Sequence, residues 1–217
     1  MKIVYTHITP HQSSREGARI HGLVLHTTEG GDSPAGDPPA DLVTLGNVFD
    51  GEEASAHLGV NVRGEFGRYV ADSAKAWAVC NYNPPTLNLE QIGFAHFTHE
   101  EWMRDRHPQL HGAAEFLVYG HVHYGVPLQK GECSGGAITR PGIFQHKDFG
   151  IAGCGHVDCG PGYPQGYVTM LAQFFIAHRL HPTAKHTETL RRKLNAIREH
   201  YGVAKIGAPD HAALLEG

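Results

Sequence analysis

Apolar residues along the chain fall into short runs that alternate with turn-forming segments, and the runs have two periods. Gly22-Leu23-Val24-Leu25-His26 is a continuous apolar stretch that meets a Gly/Asp-rich segment at Thr27 to Asp32, the pattern of a buried strand ending in a loop. Ala56 to Val62 and Gly67 to Ala71, with a turn at Arg63-Gly64-Glu65, read as a hairpin. Leu87, Leu89 and Ile92 mark another strand after the Pro84-Pro85 break, and Ile143-Phe144-Gln145 a short strand delivering His146. Helical spacing appears in Ala40 to Phe49 and in Leu110 to Tyr124, the latter closed by Gly125 with Pro127 beyond. It recurs in Tyr167 to Leu180 and in Thr187 to Tyr201, where Leu190, Leu194, Ile197 and Tyr201 form one packing stripe ended by Gly202. Thr98 and Glu101 form a capping box that starts a helix interrupted near Pro108. Asp32 to Pro39 and Gly131 to Pro141 read as loops. Strands and helices intermix, so the expected class is α/β or α+β.

Composition narrows this. The chain has 217 residues, 41% hydrophobic and 18% charged, which fits one domain, or one with an appendage. A net charge of -4 gives no broad basic field, so nucleic acid is not an expected partner. No apolar run approaches the roughly 20 residues of a membrane span. Met1-Lys2-Ile3-Val4-Tyr5 leads into polar residues without a secretory apolar stretch, so cytoplasmic synthesis and another export route are expected.

Eighteen histidines stand out. His7, His11, His178, His181, His186 and His211 lie in polar stretches and are expected in solvent. His107 and His111 flank Pro108 and are expected to be exposed; His121 and His123 have the wrong spacing to share a helix face. His99-Glu100 opens like a zinc-protease helix motif, but position 103 is Met. The four cysteines, Cys80, Cys133, Cys154 and Cys159, make no CxxC pair. Reduced thiols are the expectation, with a disulfide among Cys133, Cys154 and Cys159 the alternative after export.

Two features carry chemistry. His26 at a strand end can be held by the sheet with its ring in a cleft. The Gly/Pro-rich segment 146–164 gathers His146, Asp148, Cys154, His156, Asp158 and Cys159, and its turns can aim several side chains at one point. Together they offer the two histidines and a carboxylate of a catalytic zinc site, with the fourth position open to water.

In order along the chain these segments resemble the zinc-dependent N-acetylmuramoyl-L-alanine amidases of the type-2 class, which share a fold with peptidoglycan recognition proteins and include many phage endolysins. The resemblance spans about residues 20 to 165: Leu23-Val24-Leu25-His26-Thr27-Thr28, Ser55-Ala56-His57-Leu58-Gly59-Val60, Ala76-Trp77 with Asn81-Tyr82-Asn83, Leu87-Asn88-Leu89-Glu90, and His156-Val157-Asp158. Glu90-Gln91-Ile92-Gly93-Phe94-Ala95 followed by Glu101-Trp102 is similar to endolysins of phages that infect actinobacteria.

The resemblance implies a mixed central β-sheet flanked by helices, with residues 1–165 as the catalytic domain and 166–217 as a C-terminal helical segment packed on it. It implies Zn2+ held by His26, His146 and Asp158, Glu90 as general base and acid, and His156 as oxyanion stabiliser. Trp77, Asn81 and His57 are its groove candidates, although a packed, hydrogen-bonded role suits His57 and a core role suits Trp77 as well. Some relatives use Cys as third ligand, so Cys159 competes with Asp158; a closed structural site of Cys154, His156 and Cys159 is a further alternative. The implied substrate is bacterial peptidoglycan, cut by a monomer between N-acetylmuramic acid and L-alanine, in a phage setting after holin-type release. A non-catalytic peptidoglycan-binding module of the same fold is the competing reading.

Overall fold

The computed structural model describes residues 1–206, so the expectation for His211 lies outside the described residues. Along the chain run β1 (Ile3–Thr6), β2 (Gln12–Ser14), β3 (Gly22–Thr27), α1 (Ala40–Gly51), β4 (Leu58–Val60), β5 (Phe66–Arg68), β6 (Ala74–Ala76) and β7 (Thr86–Gln91). They are followed by α2 (His99–Asp105), α3 (His107–Tyr124), β8 (Glu132–Ser134), β9 (Ala137–Arg140), β10 (Gly142–Gln145), α4 (Gln165–Leu180) and α5 (Lys185–His200). Six strands form a mixed sheet in the order β1-β5-β4-β7-β3-β10. Within this sheet only β4 and β5 pair antiparallel, as the expected hairpin. The other neighbours are parallel.

All six residues of β3 are buried, because it lies between β7 and β10 with material on both faces. Alternation then sorts side chains by face. Leu23, Leu25, Leu87, Leu89 and Ile143 enter the main core, which also holds Trp102, Phe116, Leu117, Leu171 and Phe174 from the helices. Val24 and Phe144 point the other way, into a smaller cluster with Val79, Tyr82 and Phe149. Asn88 and Glu90 alternate with Leu87 and Leu89, so they too leave the main core for that second face.

Helix α3 approaches the sheet closely at Gly120, where a Cβ would fall 2.3 Å from Leu23 Cδ2. Helix α4 packs on α3, and Leu190 and Leu194 of α5 complete the same core. Helix boundaries follow their signals. Thr98 and Glu101 close the capping box at α2, and Gly125, in the left-handed region at φ 70°, caps α3. No helix among the described residues is long and apolar enough to cross a membrane.

Three expectations need correction. The segment 131–141 is not a plain loop but the hairpin β8–β9, turned by Gly135-Gly136, both at positive φ. His107 is not exposed: it is buried beneath α4, 2.7 Å from the Tyr167 hydroxyl, and its ring lies 4.8 Å from that of the half-buried His111. Burial, with the Arg198 charge, pushes the His107 pKa down to about 4. Among the polar-stretch histidines, His7 pairs with Asp50, and His11 is bound to the Phe49 carbonyl and stacks on Trp77.

Candidate metal centre

Strand register builds the site. On adjacent parallel strands His26 stands directly beside Glu90, and Gln145, the last residue of β10, pairs with Leu25. His26, Glu90 and His146 therefore emerge at the same carboxyl edge of the sheet, where open α/β sheets place their ligands. A short 3-10 segment, His146–Gly153, then turns the chain back so that Asp158 reaches the two imidazoles. Lys147 N–H donates to the Asp158 carbonyl at 3.0 Å and pins the return.

His26 Nδ1 lies 3.1 Å from His146 Nδ1 and 3.3 Å from Asp158 Oδ2, and His146 Nδ1 lies 3.4 Å from Asp158 Oδ1. These separations match the edge of a tetrahedron about 2 Å from centre to vertex, the size of a zinc site. All three residues are buried. The far ring nitrogens are already committed. His26 Nε2–H donates to Asn88 Oδ1 at 3.0 Å, and His146 Nε2–H donates to the Gly153 carbonyl at 2.7 Å. That fixes both tautomers with Nδ1 bare and aimed at the same point, as metal-binding histidines require.

The electrostatics agree. Asp158 resists its own burial, because hydrogen bonds and charge from both imidazoles hold its carboxyl far below the usual range. Burial opposes protonation of His26, but Glu90 and Asp158 overcome it and raise its pKa; His146 is lowered, chiefly by burial. Glu90 is pushed up to about 7 by burial, with the Asp158 and Glu29 charges adding to it. Its Oε1 is 3.9 Å from His26 Nδ1, and its Oε2 is buried without a hydrogen-bond partner. A carboxyl held beside the donor set with one oxygen unsatisfied is placed to bind a water there.

Asp158 rather than Cys159 faces the imidazoles. The Cys159 side chain is fully buried in the main core, its sulfur accepting from Gln91 Nε2 at 3.6 Å, and burial pushes its thiol well up. The closed Cys154–His156–Cys159 alternative is excluded, because Cys154 forms a disulfide with Cys80. This also corrects the expected reduced state and the pairing within 133–159. The partner is 74 residues away in sequence, brought opposite by the 3-10 turn Cys80–Tyr82. In the loop-entropy model such a link stabilises by on the order of 4 kcal/mol. Cys133 and Cys159 remain free.

The donors sit in a cleft of about 540 Å3 that also contains Trp77, Asn83 and His156. His156 is exposed and stacks on His146 at 4.4 Å between ring centroids, with Nδ1 3.8 Å from Asp158 Oδ1. Trp77 is half-buried, and its Nε1–H donates to Ser13. Asn81 points to solvent outside the cleft, and Asn83 occupies the wall instead, its Oδ1 accepting from Ala78 and Val79 N–H.

His57 is not in the cleft. It is fully buried, its Nδ1 accepting from Asn88 N–H at 3.1 Å, with Arg15 Nη2 2.6 Å from Nε2. It therefore supports the strand residue that orients His26. Sequence reading missed Asn88, although a polar residue between Leu87 and Leu89 was the signal.

Burial, with the Arg15 charge beside it, lowers the His57 pKa to about 3. A base depressed in the fold contributes stability above its unfolded value near 6.5, and loses it as pH falls toward 3. Thermal unfolding between pH 7 and pH 4 is expected to show a loss on the order of 3 kcal/mol from this residue, flattened in His57→Gln; parallel pH profiles for the two proteins would refute the assignment.

Two imidazoles and a carboxylate converging on one point, beside a carboxyl titrating near neutrality, are the equipment of a hydrolase. The chain belongs to the N-acetylmuramoyl-L-alanine amidase family, whose model matches residues 16–163. The fold is shared with solved structures at low identity, among them an N-acetylmuramoyl-L-alanine amidase. LysC from Clostridium intestinale URNW has 16% identity and TM-score 0.54, over 77% of this chain and 95% of its own. A selenomethionine derivative of AmpD has 19% and 0.55, over 79% and 95%. The Staphylococcus aureus hydrolase AmiA in complex with its ligand has 16% and 0.51, over 95% and 90%. A comparison with curated proteins returns no match.

Proposed function

We propose that this amidase is zinc-dependent, with His26, His146 and Asp158 as ligands, and that it serves as a phage endolysin cutting the bond between N-acetylmuramic acid and L-alanine. The reading rests on one convergence: three donor atoms spaced for a tetrahedral ion, with the unpartnered Oε2 of Glu90 beside them. A zinc ion held by His26, His146 and Asp158 would supply Lewis acidity, polarising the scissile carbonyl and lowering the pKa of water at the site toward 7. Glu90, titrating near neutrality, accepts the proton of the attacking water and returns it to the departing amine of L-alanine. His156, exposed at the rim and stacked on His146, donates to the developing oxyanion. Trp77, backed by His11, forms a wall for the glycan or peptide.

We read residues 1–165 as the catalytic unit and the described residues that follow, 166–206, as a helical segment packed on it. The protein acts as a monomer on the cell wall after holin-type release from the cytoplasm. Chelation is expected to abolish clearing of purified walls, zinc to restore it, and new L-alanine amino termini to appear with clearing. A metal-loaded protein that binds walls but releases no such termini is a binding module, and the proposal fails.

A further inference from the structure

The ionisable groups of the cleft are unequally signed. Among the described residues its walls carry His26, His146 and His156, four carboxyls (Glu29, Glu53, Glu90 and Asp158), and no Lys or Arg. With Asp158 and Glu90 assigned to the reaction, Glu29 and Glu53 remain, both exposed and neither in an ion pair. Glu29 is not a wandering surface charge. Its backbone is held in the left-handed region at φ 54°, which costs energy for a residue with a Cβ. Its Oε1 accepts from Ala95 N–H at 2.8 Å and from the Thr27 hydroxyl at 2.9 Å. The carboxylate is thus fixed one short loop from His26, close enough for its charge to be felt at Glu90. The facing wall, from α1, is apolar: Leu45, Val48 and Phe49, with Val48 47% exposed.

We infer that Glu29 and Glu53 make this cleft select stem peptides by charge, favouring a carboxamide over a free carboxylate on the residue that follows L-alanine. The inference rests on the amidase reading above. The second stem residue is a D-glutamate or its α-amide, one residue from the scissile bond. A carboxylate brought within about 6 Å of a fixed carboxylate in a half-open cleft is repelled by on the order of one kT or more, whereas a carboxamide N–H donates to it. Among the described residues no Lys or Arg of the wall offsets the repulsion, and the charge of a zinc ion in the site would be balanced by Asp158 and the ionised Glu90, leaving Glu29 and Glu53 in excess.

The test uses two synthetic substrates, N-acetylmuramoyl-L-alanyl-D-isoglutaminyl-L-lysine and its free-glutamate counterpart, with the zinc-loaded full chain. The expected kcat/KM ratio is about five- to tenfold in favour of the amide, carried by KM, and shrinking as salt shortens the Debye length below about 8 Å. Glu29→Gln keeps the acceptor for Ala95 and Thr27 and reduces the ratio; adding Glu53→Gln brings it close to one. Equal rates on both substrates, a ratio insensitive to salt, or an unchanged ratio in the double variant would overturn the inference alone. Release from neither substrate would overturn the amidase reading with it.

Discussion

Glu90→Gln lowers kcat by about 10²–10⁴-fold while zinc content stays at the wild-type level. Gln fills the same volume and can hydrogen-bond to a water, but it takes up no proton. The site's chemistry is lost and its donor set is kept. The same change acts on stability in the opposite direction. Burial and the Asp158 and Glu29 charges raise the Glu90 pKa to about 7 in the metal-free protein. A carboxyl raised in the fold contributes stability below its unfolded value, and that contribution is lost as pH rises through 7. At pH 8 the metal-free Gln variant is therefore expected to be more stable than the wild type by roughly 3 kcal/mol, a difference that vanishes near pH 4. Calorimetry at the two pH values with single-turnover assays reads both effects. Retained activity, or equal stability at both pH values, would show that Glu90 does not carry the proton. This is the trade in which a site keeps a group the fold alone disfavours.

Asp158→Ala and Cys159→Ser separate the two candidate third ligands. Removing the carboxylate leaves His26 and His146 facing each other without the anion that balances them, and zinc affinity is expected to fall by more than about 100-fold, since loss of an outer partner alone costs 10–100-fold. Cys159→Ser leaves zinc stoichiometry unchanged and costs on the order of 1–2 kcal/mol, because a hydroxyl replaces a thiol in an apolar pocket. Competition against a chromophoric chelator measures the first and thermal unfolding the second. The opposite pattern would make Cys159 the ligand.

The readable parts of this sequence were those whose signal is local. The apolar run ending in His26, the Thr98–Glu101 box and Gly125 each fix their own backbone, and each stands where expected. Leu87-Asn88-Leu89-Glu90 carried two messages in one alternation, a core face and a site face, and only Glu90 was read from the second. What stayed hidden depends on contacts across the chain. Cys80 meets Cys154 only because two 3-10 segments are laid side by side. His57 is buried because Arg15 and Ala74 close over it. His107 sits in a polar-looking stretch, but α4 covers it with Tyr167. Strands β1, β2 and β6 have three or four residues each, too few for alternation to declare itself.

In the proposed mechanism, the side-by-side register of His26 and Glu90 makes the geometry of the reaction a property of backbone pairing. Neighbouring strands lie about 4.8 Å apart wherever their ladder is intact, so the gap between His26 and Glu90 is inherited from the sheet. Substitutions in α3 to α5 can erode the fold without altering that gap. An insertion of one residue inside β7 has the opposite character: it would turn Leu89 into the cleft and Glu90 into the apolar core, silencing the enzyme with little change in composition. Length within these two strands is therefore under tighter constraint than identity at most of their positions.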